Sequence, residues 1–208
     1  MANADVWSTI HAERDALAED LKPLTDHQWE TPSLCAGWSV REVLGHMTAT
    51  SELTAPKFFA GLIGSGFRFS AMQDAAIAKQ MDGTAADTLA RFEAQAGATT
   101  HPPGPTDSWL GETIVHAEDI RRPLGISRRY PVGAATRIAD FYRRSNLIVG
   151  GKKRVAGLLL RATDSDWSAG SGPEVQGPAV SLVLAITGRK AALDDLSGDG
   201  VGTLAARM

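Results

Sequence analysis

The sequence has little cysteine and no long apolar run. Cys35 is its single cysteine among 208 residues, so an intrachain disulfide is excluded, and we interpret this thiol as buried and inert rather than as a nucleophile. No stretch approaches the roughly 20 apolar residues of a membrane helix, and the first residues lack a signal-peptide core, so a cytoplasmic location is expected by default. Internal repeats, a phosphate-binding glycine loop, a Gly-x-Ser-x-Gly motif and zinc-finger cysteine pairs are also lacking.

The charge is close to balanced. A net charge of −3 and a pI of about 5.9 argue against bulk binding of nucleic acid. Ten of the 21 Lys and Arg residues nevertheless fall between Arg121 and Arg154, where Asp140 is the only acid. Solvated helix faces are the favoured interpretation of this basic stretch. An anion-attracting surface, or in the weakest case a nucleic-acid-binding one, is the alternative.

One stretch combines helix signals with a pair of metal-ligand residue types. A helix is predicted to begin at Asp107 or Ser108, which can cap its start, and to end before Pro123. Within it, Glu112 and His116 lie four residues apart and therefore on one face, which is otherwise apolar. A buried carboxylate and imidazole need a partner. They either pair with each other, which these residues alone favour, or bind one metal together with a third ligand.

A second predicted helix offers that third ligand. Ser39 and Glu42 form a capping box, and the helix that they start runs to about residue 54. His46 lies one turn beyond Glu42 on the face that points inward. A single histidine on an apolar face is usually a core residue with a satisfied hydrogen bond. His46 becomes a ligand candidate because the other helix carries Glu112 and His116.

The pattern changes after Gly150-Gly151. Residues 1–150 predict a helical body, whereas residues 151–208 predict a small α+β region, with strands near 154–161 and 167–169. A helix is expected to open at Gly177-Pro178. The fold class is therefore mainly α, with a short C-terminal α+β appendage.

Three motifs together resemble one family. They are Cys35–His46 (CAGWSVREVLGH), Glu112–Gly125 with its Glu-x-x-x-His-x-x-Asp spacing, and Leu184–Arg189 (LAITGR). The chain thereby resembles the mycothiol-dependent maleylpyruvate isomerase family, within the DinB-like superfamily of metal-binding four-helix bundles. The resemblance covers about residues 5–150, and the tail resembles a shortened form of the family's sterol-carrier-protein-like C-terminal region.

This resemblance implies a set of site residues. His46, Glu112 and His116 correspond to the family's metal ligands, and it is Glu112 that points to the isomerase branch, since most other DinB-like proteins use three histidines. Arg189 corresponds to a functionally important arginine. Asp119, one turn past His116, either orients that ring or is a surface acid, and the surface acid is favoured.

The resemblance also implies chemistry. Two imidazoles and one carboxylate fit a tetrahedral Zn²⁺ with one open position, at which a thiol such as mycothiol would be held as a thiolate. The implied activity is isomerisation of, or S-transfer to, a small anionic substrate; the oligomeric state is left open, with a homodimer among the options. The alternative is a non-catalytic metal-stapled bundle or a small-ligand-binding protein. A fourth protein ligand such as His101 would favour that alternative.

Overall fold

The computed structural model describes residues 3–147 and 149–208. The chain divides into two compact units, Met1–Arg128 and Arg129–Met208. The boundary between the two units lies before residue 150, where the sequence pattern changes. The last helix before residue 150 belongs to the second unit because it packs against a later helix of that unit. The two domains assigned from sequence, 1–150 and 151–208, remain a prediction.

The first unit is built from helices. Four of them, α1, α3, α6 and α7, form a bundle in which α1 and α3 each pack against both α6 and α7, while α5 packs on the outside of α3. The helices of this unit are α1 (Asn3–Leu21), α2 (Asp26–Trp29), α3 (Val40–Glu52), α4 (Ala55–Gly64), α5 (Phe69–Gln80), α6 (Ala85–Gln95) and α7 (Thr106–Arg121).

The bundle is held by a continuous apolar core. Apart from Trp29 of α2, its buried side chains come from α1, α3, α6 and α7 at helical spacing, so each of these four helices turns one stripe inward. The loop before α3 closes one end, since Trp38 and Cys35 pack against this core. The core side chains are Leu17, Ala18, Leu21, Trp29, Val40, Val43, Leu44, Met47, Phe92, Ala117 and Ile120.

The start of α3 matches the prediction. The backbone N–H of Ser39 donates to the Glu42 carboxylate at 2.7 Å, and the Glu42 N–H donates back to the Ser39 hydroxyl at 3.3 Å. This capping box satisfies two backbone donors that the helix itself leaves unpaired. It also fixes the first turn of the helix that carries His46.

Ser39→Ala should lower the free energy of unfolding by about 1 kcal/mol, because an N-cap hydrogen bond is lost. Thr84→Ala is the matched control, since Thr84 caps α6 with the same kind of box. Denaturant melts should show a similar loss of stability in both variants. Metal affinity should fall only for Ser39→Ala, because α3 alone of these two helices carries a candidate ligand; equal metal affinities would contradict this coupling.

The second unit combines helices with a small sheet. The sheet has strand order β2-β1-β3, with β1 antiparallel to β2 and parallel to β3, and α10 packs against α8. The elements are α8 (Val132–Tyr142), α9 (Gly151–Arg154), β1 (Leu159–Ala162), β2 (Ser168–Gly170), β3 (Glu174–Gly177), α10 (Ala179–Ile186), a 3₁₀ helix (Lys190–Asp195) and α11 (Val201–Ala205).

Three local expectations from the sequence were wrong. Asp107 and Ser108 do not cap α7; the helix begins at Thr106 after Pro105, and the Ser108 hydroxyl donates to the Pro105 carbonyl inside the first turn. The first strand starts later than predicted, because residues 151–154 are helical and Gly157 turns the chain at a φ of 70°. The third is an omission: the strand β3 was not predicted, because four residues are too few for a periodic signal even though their burial alternates.

The predicted class is nonetheless confirmed: the protein is mainly α, a DinB-like helical bundle followed by a small α+β region. None of the described helices is both long enough and apolar enough to cross a membrane. The basic stretch is partly neutralised, because at least five of its ten cationic side chains form ion pairs, with four carboxylates between them. The paired residues are Arg121 with Asp20, Arg122 with Glu118, Arg128 with Glu13, and Arg143 and Arg144 with Asp140.

Candidate metal centre

The three ligand candidates from the sequence meet in the first unit. His46 on α3 and the pair Glu112 and His116 on α7 each offer a ligand atom, and these atoms all lie within 4.8 Å of one another. The two imidazole rings contact edge to face, with centroids 4.9 Å apart. The four-residue spacing on α7 and the packing of α3 against α7 together produce this group.

The Glu112 carboxylate lacks the partners that a buried charge needs. Among the described residues, neither of its oxygens makes a hydrogen bond of good geometry, although the Thr113 hydroxyl lies nearby, and both oxygens are buried. The simple Glu112–His116 hydrogen-bonded pair, which the residues alone favoured, is therefore wrong. A buried carboxylate without hydrogen bonds lowers the stability of the folded protein unless a cation binds it.

Burial raises the pKa of the Glu112 carboxyl. The positive charges of His116 and Arg14, and the Thr113 hydroxyl, oppose this effect only in part. Arg14 is itself buried, and its guanidinium donates to the Ala98 carbonyl at 3.0 Å. Burial also lowers the pKa of Arg14, so this cation does not fully compensate Glu112.

Each imidazole is oriented through its Nδ1 atom. Nδ1 of His116 lies 2.9 Å from the Asp119 carboxylate, which is fully buried. Nδ1 of His46 lies 3.2 Å from the side-chain amide nitrogen of Gln73, whose N–H donates to it in this placement; with the amide oxygen and nitrogen exchanged, the oxygen would accept from an Nδ1 proton instead. In both rings this leaves Nε2 as the nitrogen for a metal, which is the usual arrangement of histidine ligands.

The two rings differ in their protonation. Burial lowers the pKa of His46 to about 3, helped by the nearby charge of His116 and opposed by that of Asp119, so this ring is neutral. For His116, burial acts in the same downward direction. The hydrogen bonds and charges of Asp119 and Cys35 outweigh it and raise the pKa of His116 to about 10.

The surface-acid interpretation of Asp119 is wrong, because its side chain is buried and holds the His116 ring. The i,i+3 spacing from His116 carried this signal in the sequence.

Cys35 is half-buried, and its thiol donates to the Asp119 carboxylate at 3.0 Å and lies 3.5 Å from Nδ1 of His116. Gln73 and Arg14 were missed altogether, since only tertiary packing brings them to the site.

The other sequence candidates lie elsewhere. His101 stacks between Trp7 and Trp109, with ring centroids 5.6 and 5.4 Å away, and its Nδ1 lies 2.6 Å from the Pro102 carbonyl. Among the described residues it is not part of the ligand group, so a fourth protein ligand is not supplied by His101. Arg189 follows α10 in the second unit, where its guanidinium donates to the Thr187 carbonyl at 3.1 Å.

The residues fit a divalent metal. Two imidazole nitrogens and one carboxylate are ligand types that Zn²⁺ binds, and three protein ligands are typical of a site with an exchangeable fourth position. A bound cation would also give the orphaned Glu112 carboxylate the positive partner that the described side chains do not fully provide.

Comparisons with known proteins agree with this fold. A family model described as the mycothiol maleylpyruvate isomerase N-terminal domain matches residues 10–121. A crystal structure of the mycothiol-dependent maleylpyruvate isomerase superposes with a TM-score of 0.63 at 14% identity, covering 96% of this chain and 93% of that one. A crystal structure of a histidine-to-alanine mutant of the isomerase gives 0.65 at 13%, with the same coverage. At such identities the likeness shows the fold alone, and no curated protein matches the chain.

Proposed function

Because the chain belongs to the mycothiol maleylpyruvate isomerase N-terminal domain family, we propose that it is a metal-dependent enzyme using a low-molecular-weight thiol of the mycothiol type. Its substrate is small and anionic, and the reaction is isomerisation or S-transfer. The observation that carries the proposal is the buried Glu112 carboxylate, which faces two imidazoles and makes no hydrogen bond of good geometry among the described residues.

The roles of the residues follow from their contacts. His46 and His116 bind the metal through Nε2 and Glu112 binds it through its carboxylate. Asp119 holds the Nδ1 proton of His116 and so fixes the ring's orientation. When bound, a divalent ion such as Zn²⁺ supplies the positive charge that favours the ionised form of a thiol.

The thiol chemistry balances without a redox partner. In isomerisation, the thiol loses its proton and adds to a conjugated double bond as the thiolate. Rotation about the resulting single bond and elimination of the same thiolate restore the double bond in the other geometry. In S-transfer, the thiolate displaces a leaving group and stays on the product.

Binding of a thiol at the metal is tested on Co²⁺-loaded protein with one equivalent of the ion. Cys35→Ser is the background, because the native thiol lies close enough to give a false signal. Adding mycothiol or 2-mercaptoethanol should produce sulfur-to-cobalt charge transfer in the near ultraviolet, with the thiol titrating well below the roughly 8.5 of a free thiol. If cobalt is bound but its spectrum does not change with any thiol, the better proposal would be a non-catalytic bundle in which the metal only joins the helices.

Arg189 is proposed to bind the anionic group of the substrate or thiol. Arg189→Ala should weaken that binding about tenfold or more, since a charge-assisted hydrogen bond is lost. Metal content, measured by elemental analysis, should not change. Arg161→Ala is the matched control, because that arginine pairs with Glu174 on the sheet. If calorimetry gives the same affinity for every ligand in the wild type and in Arg189→Ala, Arg189 has a structural role only.

A further inference from the structure

A second group of metal-ligand atoms lies on the other side of the His116 ring. Nδ1 of His116, the Asp119 carboxylate and the Cys35 thiol approach one another to 2.9, 3.0 and 3.5 Å. These three residues could hold an ion independently of His46 and Glu112. The two groups share His116 but use opposite nitrogens of its ring.

The spacing of these atoms fits a small divalent ion. Ligands at about 2.0–2.3 Å from a tetrahedral Zn²⁺ stand about 3.3–3.8 Å apart. The observed separations of 2.9–3.5 Å therefore need to widen by only a few tenths of an ångström. A thiolate sulfur in the group favours soft or borderline ions over Mg²⁺ or Ca²⁺.

We propose that Cys35, Asp119 and Nδ1 of His116 form a second, weaker site for a thiophilic divalent cation such as Cd²⁺, Co²⁺ or a second Zn²⁺. His116 then bridges two ions as an imidazolate. On binding, the Cys35 thiol proton and the Nδ1 proton of His116 pass to solvent, and no covalent bond between heavy atoms changes. Thiolate, carboxylate and shared imidazolate balance the charge of the ion.

The loop that carries Cys35 is fixed in place by its own hydrogen bonds. The Leu34 N–H donates to the Asp119 backbone carbonyl at 3.1 Å, and the Cys35 N–H donates to the Ser33 hydroxyl at 3.1 Å. Ala36 and Gly37 beside it are exposed, which gives an ion a short path from solvent. The thiol is thus held against α7 before any ion arrives.

The second site is the weaker one for a physical reason. An ion there must displace two existing hydrogen bonds of the Asp119 carboxylate as well as two protons. The first group instead offers the Glu112 carboxylate, which no described donor satisfies. The second group therefore binds an ion more weakly than the first, so in the wild type the first group fills first.

The test is a Co²⁺ titration of the metal-free full chain without added thiol, with four proteins compared. The wild type should bind two equivalents, and sulfur-to-cobalt charge transfer should arise with the second only. Cys35→Ser should bind one equivalent with no such band, His46→Ala one equivalent with the band, and His116→Ala should bind at neither site. Circular dichroism of each variant checks that it is folded.

Two results would overturn the second site. A wild type that stops at one equivalent and never shows the sulfur band would mean that the three residues are joined by hydrogen bonds only. A sulfur band that grows with the first equivalent in the wild type and is lost in His46→Ala would place Cys35 in the primary site. Failure of the primary site is distinguishable: His46→Ala would then match the wild type at one equivalent, with the band present in both.

Discussion

His116→Ala and His46→Ala are each expected to remove the tightly bound metal ion from the site formed by His46, Glu112 and His116. The apparent binding free energy of structural zinc is about 10–16 kcal/mol over four ligands, so each ligand accounts for on the order of 3 kcal/mol. Losing one of only three protein ligands should therefore weaken binding by a hundredfold or more. His116 carries the largest effect, because its ring is also held by Asp119 and lies against His46.

The measurement is elemental analysis of protein purified without chelator, together with melting curves in the presence and absence of Zn²⁺. An ion at a thousand times its dissociation constant should stabilise the wild type by about 4 kcal/mol. His27→Ala is the control, since His27 is exposed and lies outside the ligand group. Full metal retention in both ligand variants would refute the site assignment.

The ligand group could be predicted because most of its information is local. Glu112 and His116 belong to one helix, and a four-residue spacing fixes their shared face whatever the rest of the chain does. The capping box at Ser39 likewise fixes where α3 begins, and the apolar residues Val43, Leu44 and Met47 mark the face that turns inward beside His46. The match of the family model over residues 10–121 confirms the resemblance that these motifs carried.

The surroundings of the ligands could not be predicted, because they depend on tertiary packing. Gln73 reaches His46 from α5, and Cys35 reaches Asp119 from a loop 84 residues away in sequence. Asp119 itself was misjudged, since its burial follows from the loop that covers it rather than from its position on α7. In the second unit, short strands such as β3 have too few residues for a periodic signal.

The affinity for metal should rise steeply with pH. In the metal-free protein the pKa of His116 is about 10, because Asp119 and Cys35 outweigh the effect of burial, so its Nε2 carries a proton at neutral pH. A metal must displace that proton, which gives about a tenfold gain in affinity for each pH unit below 10. The raised pKa of Glu112 acts in the same direction. His46, with a pKa of about 3, is already neutral and adds no dependence.

Competition with a chromophoric chelator between pH 6 and pH 8 should therefore show at least about a hundredfold increase in Zn²⁺ affinity. Asp119→Asn is the matched variant, because it keeps the shape of the side chain but removes the charge that holds the proton on His116. The pKa of that ring should then fall, because only Cys35 still opposes the effect of burial, so the slope should flatten across the same range. Equal slopes in the wild type and in Asp119→Asn would mean that the displaced proton does not come from His116.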